Sequence, residues 1–203
     1  MTKLIMTCVF AVVVFAIISS TVWFIRNSGY NEIQGQDENV KAQWAEVQNQ
    51  YKRRNDLIGN LVSVVKGYAT HEKTTLENVI SARYRSAQAN KTGKDAINNP
   101  EDFKKFQKTQ DNLTSALSRL LLVYEQYPNL KADQHFVKLQ DQIETTENSI
   151  AEARNNYIAS VNTYNKYIRY LPTSITAKYI LGLKLRPTFE YDNDKAPVID
   201  FKD

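Results

Sequence analysis

The chain has 203 residues, with 26 Lys and Arg against 22 Asp and Glu, a formal net charge of +4 and a single cysteine. Lys3 and Arg26 flank one apolar run, and the other 24 basic residues are set against all 22 acids, so the remainder is close to neutral at about +2. Bases scattered among acids do not form the stripe that nucleic-acid binding requires, and the lone Cys8 lies in the apolar run, which leaves the rest of the chain no disulfide.

The run Leu4 to Ile25 contains no charge. As a helix rising about 1.5 Å per residue it is roughly 33 Å long, which matches a hydrocarbon core of about 30 Å. Trp23 stands at its rim, where an amphipathic ring favours the headgroup layer. A cleaved signal would need a longer charged leader, a shorter apolar core and small residues at the cut. Here the leader is Met1 to Lys3, and the run ends in Val22-Trp23-Phe24-Ile25. The reading is therefore a retained transmembrane helix over 4–25, with Leu4, Trp23 and Ile25 as anchor residues.

Residues 26–36 form a polar linker interrupted by Gly29 and Gly35, and Asp37 is placed to cap the next helix. Apolar residues then recur at Val40, Trp44, Val47, Tyr51, Ile58, Leu61, Val65 and Tyr68 in heptad, coiled-coil-like spacing, with a missed beat at Arg54. The pattern restarts at Leu76, Val79 and Ile80 and fades near Ala89. It predicts one helix of roughly 50 residues, about 75 Å, bent near Gly59 or Gly67. Residues 90–100 read as a loop, and Pro100 suits the first position of a second helix, with Glu101 and Asp102 in its first turn. Its stripe is Phe103, Phe106, Leu113, Leu117, Leu120 and Tyr124, and Glu101 is spaced to pair with Lys105. Pro128 ends it. A third helix begins near Leu130 and carries its seam through Phe136, Leu139, Ile143, Thr146, Ile150, Ala153, Tyr157, Val161, Tyr164 and Ile168, until Pro172 stops it. A short helix over Ala177 to Leu181, capped by Gly182, follows. The seam tyrosines are expected in the core. The fold class is all-α: residues 1–3 are a leader, 4–25 the span, 26–36 a linker, 37–183 an antiparallel bundle of three long helices plus the short one, and 184–203 an extended tail.

Several ordered stretches carry a resemblance. Tyr30-Asn31, Asp37-Glu38, Trp44 and Val47 precede Lys52-Arg53-Arg54-Asn55-Asp56-Leu57-Ile58 and Asn60-Leu61-Val62. Val65-Lys66-Gly67-Tyr68-Ala69 and His71-Glu72 follow. Later come Glu125-Gln126-Tyr127-Pro128-Asn129-Leu130-Lys131-Ala132, Phe136, Leu139, Glu147, Ile150, Ala153-Arg154, Tyr157, Val161 and Tyr164-Asn165. From about residue 30 onward this series resembles the LemA family of bacterial single-pass membrane proteins. It departs at Gly59, where the family usually has proline. The resemblance implies a membrane-anchored helical bundle without an established enzymatic activity. Some relatives are magnetosome-membrane proteins, and others stand beside membrane proteases or phosphatase-like domains.

No catalytic constellation emerges from the residues themselves. His71-Glu72 would need a histidine at position 75 to share a metal-binding face, and Thr75 is there. The glycines are isolated, and no serine sits in a triad context. Glu144 and Glu147 read as an ordinary solvated pair. The residues singled out are Arg53, Arg54, Asp56 and Asn60. Arg54 falls on the seam, where a charge must be paired or face outward. Asp56 is too close in sequence to meet it on one helix face, but a carboxylate from another helix could. Two readings stay open: an ion pair within the chain that sets helix register, or contact with a second subunit or partner. No cofactor, metal, nucleic acid or small-molecule substrate is expected. The expected function is a non-enzymatic, self-associating scaffold in the bacterial inner membrane, with the bilayer and further copies as partners. The alternative is an adaptor or regulator of a membrane protease or other envelope enzyme. Counting basic residues beside the span favours, by about one charge, the bundle on the periplasmic side.

Overall fold

The computed structural model describes residues 2–24, 29–68, 72–124, 126–171 and 173–189. Ile25, Arg26, His71, Pro172 and the tail from Glu190 onward lie outside the described residues, as do the side chains of Leu4 and Tyr124. Among the described residues the chain is all-α, with no strand. Helix α1 (Thr2–Phe24) carries no charge beyond Lys3, and its side chains from Ile5 to Trp23 are exposed.

Helix α2 (Asn31–Lys66) begins six residues before Asp37. Asp37 is therefore not a cap; it lies buried one and a half turns inside the helix. Burial of Ile33 in the core draws the helix back through Gly35, overriding the weak helical preference of that glycine.

The expected 50-residue first helix is in fact two. α2 ends at Gly67, whose N–H donates to the carbonyls of Val64 and Val65, and α3 (Lys73–Thr92) runs back along it. Leu76, Val79 and Ala82 thereby pack with Ile58, Leu61 and Val65. A straight rod would have left that apolar stripe in water, and folding back at the glycine buries it. Tyr68, expected in the core, sits at the reversal, 42% exposed, and donates to Asp133 at 2.7 Å.

A 3₁₀ segment (Gly93–Asn98) leads to Asn99, extended as a residue before proline prefers, and to α4 (Pro100–Tyr124). Asn99 Oδ1 accepts from the Glu101 N–H. Lys105 finds Asp102, at 3.6 Å, rather than the expected Glu101. Pro128 opens a short turn, α5 (Pro128–Lys131), instead of merely ending α4. α6 (Gln134–Arg169) starts after Asp133, whose carboxylate accepts from the N–H groups of His135 and Phe136. A single turn, α7 (Thr173–Ile175), a π-helical segment over Thr176–Ile180 and an extended strap to Phe189 complete the described chain. Gly182 has φ +58°, the left-handed conformation expected of it.

α2 and α6 pack antiparallel over most of their length: Trp44 meets Tyr157, Arg54 meets Glu147 and Tyr68 meets Asp133. α3 and α4 complete a four-helix arrangement. Its core has two apolar halves. The near half, at the end where α2 begins, holds Ile33, Trp44, Phe103, Tyr157, Tyr164 and Phe189. The far half holds Ile58, Leu61, Leu113, Leu130 and Phe136.

Candidate functional site

Between the two apolar halves lies a polar layer built from all four long helices. Arg54 of α2 is only 2% exposed. Its Nη1 lies 3.1 Å from Glu147 Oε1 of α6 and donates to Thr114 Oγ1 of α4 at 3.0 Å. Its Nη2 donates to Gln110 Oε1 at 2.8 Å, and the guanidinium stacks over the Tyr51 ring at 4.9 Å. Ser86 of α3 donates to the same Gln110 oxygen at 2.7 Å and accepts from Asn55 Nδ2 at 3.0 Å. Gln110 occupies the α4 stripe midway between Phe106 and Leu113, a position that periodicity alone passes over.

The carboxylate that Arg54 needed is therefore Glu147, not a surface acid of α2. Sequence spacing had placed Glu147 on a solvated face beside Glu144; it is instead about a third exposed and turned toward the guanidinium. Arg53, Asp56 and Asn60 are exposed on the outer face of α2 and are not part of the layer. Both terminal nitrogens of this enclosed guanidinium are engaged, while its Nε and Gln110 Nε2 are buried without a hydrogen-bond partner among the described residues, and at 2% exposure Arg54 presents no open side at which a substrate could sit. Among the described residues no group of His, Cys, Asp and Glu is arranged to hold a metal ion.

Gly59 lies one turn beyond Asn55 and faces Arg83 of α3. A Cβ at Gly59 would lie 2.7 Å from the Arg83 guanidinium, whose Nε donates to the Asn55 carbonyl at 2.7 Å. The missing side chain thus makes room for a bond between α2 and α3.

A second constellation fastens the strap to the near half. Arg186 Nη2 lies 2.6 Å from Asp37 Oδ1, both side chains being about 10% exposed. The Arg186 N–H donates to Asn165 Oδ1 at 2.9 Å, and Asn165 Nδ2 donates to the Arg186 carbonyl at 3.0 Å. Tyr157 Oη donates to the Pro187 carbonyl at 2.9 Å, and burial pushes its hydroxyl pKa far up, so the donor proton is retained. Phe189 closes an aromatic box with Trp44, Phe103 and Tyr157, and Arg154 lies over its ring at 4.3 Å. Burial raises the Asp37 pKa, but hydrogen bonds and charge from Arg186 and Lys41 outweigh it and hold the carboxyl below its usual range. The sequence marked Asp37 only as a helix cap and passed over Arg186, because 149 positions separate the two.

The LemA family model matches residues 43–201, which takes in most of the bundle and the strap. The chain is also similar to the magnetosome protein MamQ 2 of Paramagnetospirillum magneticum, 25% identical over 176 residues, covering 79% of this chain and 64% of that protein. A magnetosome protein MamQ of Magnetospirillum gryphiswaldense is 25% identical over 181 residues, covering 82% and 65%. The match thus spans just under two thirds of these relatives. With the family match covering more than half of its length, this chain belongs to the LemA family.

Proposed function

We propose that this protein is a membrane-anchored, non-enzymatic helical scaffold of the bacterial cell envelope that associates with further copies of itself. The observation that carries this reading is the contrast between its two parts. Residues Ile5–Trp23 form an apolar helix with no side chain covered by the rest of the chain, while the long helices after it bury their own polar and apolar groups against one another. Such a helix finds its low-energy surroundings in lipid. The likeness to magnetosome proteins supports a role at a membrane. The enclosure of Arg54 and Glu147 favours a structural rather than a catalytic use of the layer.

Self-association follows from confinement in two dimensions, which raises effective concentration, together with apolar groups on the outer face of α3. Ile80, expected on the buried seam, faces solvent instead, and Tyr84 one turn on is 72% exposed. The proposed location is the cytoplasmic membrane with the bundle on its extracytoplasmic side. Crosslinking of the full chain in native membranes tests the reading: homo-oligomers are expected, and Tyr84→Glu should reduce them. Monomer alone, recovered with a stoichiometric envelope enzyme in mild detergent, would favour the adaptor reading instead. Release of the chain by alkaline carbonate would overturn both.

A further inference from the structure

The near end of the bundle carries an open groove of about 690 Å³ beside the end of α6. Its apolar lining includes Leu171, Ile175 and Leu185, which are 76%, 43% and 42% exposed, and its cationic lining is Arg169, Lys178 and Lys184. Tyr170, 60% exposed, stands next to it. Apolar side chains this exposed are costly in water, and they are rimmed by one sign of charge. The scattering of bases among acids does not hold in this region: Ala153 to Phe189 contains six basic residues and no acidic one. Two of the six are occupied inside the bundle, Arg154 over Phe189 and Arg186 against Asp37. The last turn of α6 accounts for Lys166 and Arg169 as partners of the helix dipole. It does not account for the exposed leucines.

The position of the groove says what lies opposite. The end of α6 is fastened to the start of α2, because Tyr167 donates to the Glu32 carboxylate and the Gly29 backbone packs so closely on Thr176 that a Cβ would lie 3.0 Å from its Oγ1. α1 ends at Phe24, and only residues 25–28 separate it from Gly29. Five Cα steps reach at most about 18 Å. The groove is therefore held within a short distance of the point where the apolar helix ends, next to the exposed ring of Trp23. A surface of exposed leucines, a tyrosine and a lysine–arginine rim suits the boundary between headgroups and acyl chains of an anionic leaflet.

From this juxtaposition we infer that the Arg169–Leu185 end of the bundle is a second membrane-contact surface, seated on anionic phospholipid of the leaflet from which α1 emerges. It rests on α1 being the membrane anchor. Two attachment points would fix the tilt of the bundle on the bilayer, where a single one would leave it free to swing. Each cation close to an anionic surface is worth about fivefold in binding, so the exposed cationic rim adds to the hold once the anchor has brought the end there.

The test is amide hydrogen exchange on the full chain reconstituted into vesicles of phosphatidylglycerol with phosphatidylcholine, or of phosphatidylcholine alone. Exchange over residues 170–185 is expected to be about tenfold slower in the anionic vesicles, with residues 58–80 at the far end unchanged as the internal control. The triple variant Arg169→Gln, Lys178→Gln, Lys184→Gln should lose that difference, as should the wild type in high salt. Leu171→Asp should weaken it without altering the far end. Equal exchange in both lipids, with the chain still resisting carbonate extraction, overturns the second contact and leaves the anchor intact. Loss of the chain from the vesicles on carbonate washing overturns the anchor itself. Protection that is independent of lipid charge but disappears when residues 190–203 are removed would give the groove to the acidic tail, and would also overturn the inference.

Discussion

Removing the carboxylate from the polar layer should harm the protein more than removing the guanidinium. In Glu147→Ala, Arg54 stays 2% exposed with only Thr114, Gln110 and the Tyr51 ring around it. Stranding one partner of a fully buried ion pair costs about 3–5 kcal/mol. Glu147 is about a third exposed, so water entering its place offsets part of that, and about 3 kcal/mol is expected. In Arg54→Met the thioether side chain fills the arginine's apolar path. Glu147 turns to solvent, and Gln110 Oε1 keeps its bond from Ser86. That change should cost within about 1 kcal/mol, since apolar replacements of buried ion pairs are often near neutral. Thermal unfolding of the full chain in mild detergent, followed by far-UV ellipticity, reads both. At about 2–4 °C per kcal/mol for a domain of this size, Glu147→Ala should lower the Tm by about 6–12 °C and Arg54→Met by no more than about 4 °C. The double variant should be more stable than Glu147→Ala alone. The opposite order, with Arg54→Met the more damaging, would show that the guanidinium is solvated and that the layer does not hold it.

The strap clamp carries a pH dependence. A depressed carboxyl pKa contributes stability that is complete above the unfolded value of about 3.9 and is lost as pH falls through the lower folded value. Amide exchange over residues 184–189 should therefore stay slow from neutral pH down to about pH 4 and accelerate below it, relative to intrinsic rates, while Asp37→Asn should be fast throughout; identical profiles for the two proteins would rule out the clamp. Arg186→Gln should free the same segment, at a cost of about 1.5–3 kcal/mol for losing a charged hydrogen bond. Gly182→Ala forces a side chain into φ +58° and should cost about 1–2 kcal/mol, so an unchanged Tm would contradict the left-handed turn. Trp44→Ala empties the aromatic box beside Phe103, Phe106 and Tyr157 and should cost about 3–5 kcal/mol, read as loss of cooperative unfolding in the near half.

What could be read from the chain alone was whatever depends on neighbours three or four positions apart. Seams at Val40-Trp44-Val47-Tyr51 and Ile150-Ala153-Tyr157-Val161-Tyr164 announce buried helix faces, because a 3.6-residue turn stacks those side chains on one side. Pro100 and Gly182 announce a start and a stop, because proline fixes one backbone angle and glycine tolerates a left-handed one. Arg54 announced that a carboxylate had to arrive from another helix. Tertiary structure alone decided that the carboxylate is Glu147, that Asp37 is an ion-pair partner and not a cap, that Gln110 completes the layer, and that the chain turns back at Gly67. Each of these joins residues far apart in sequence or weighs burial of a whole apolar face against the local preference of one residue. Periodicity reports which face of a helix seeks cover, but the packed chain determines which helix provides it.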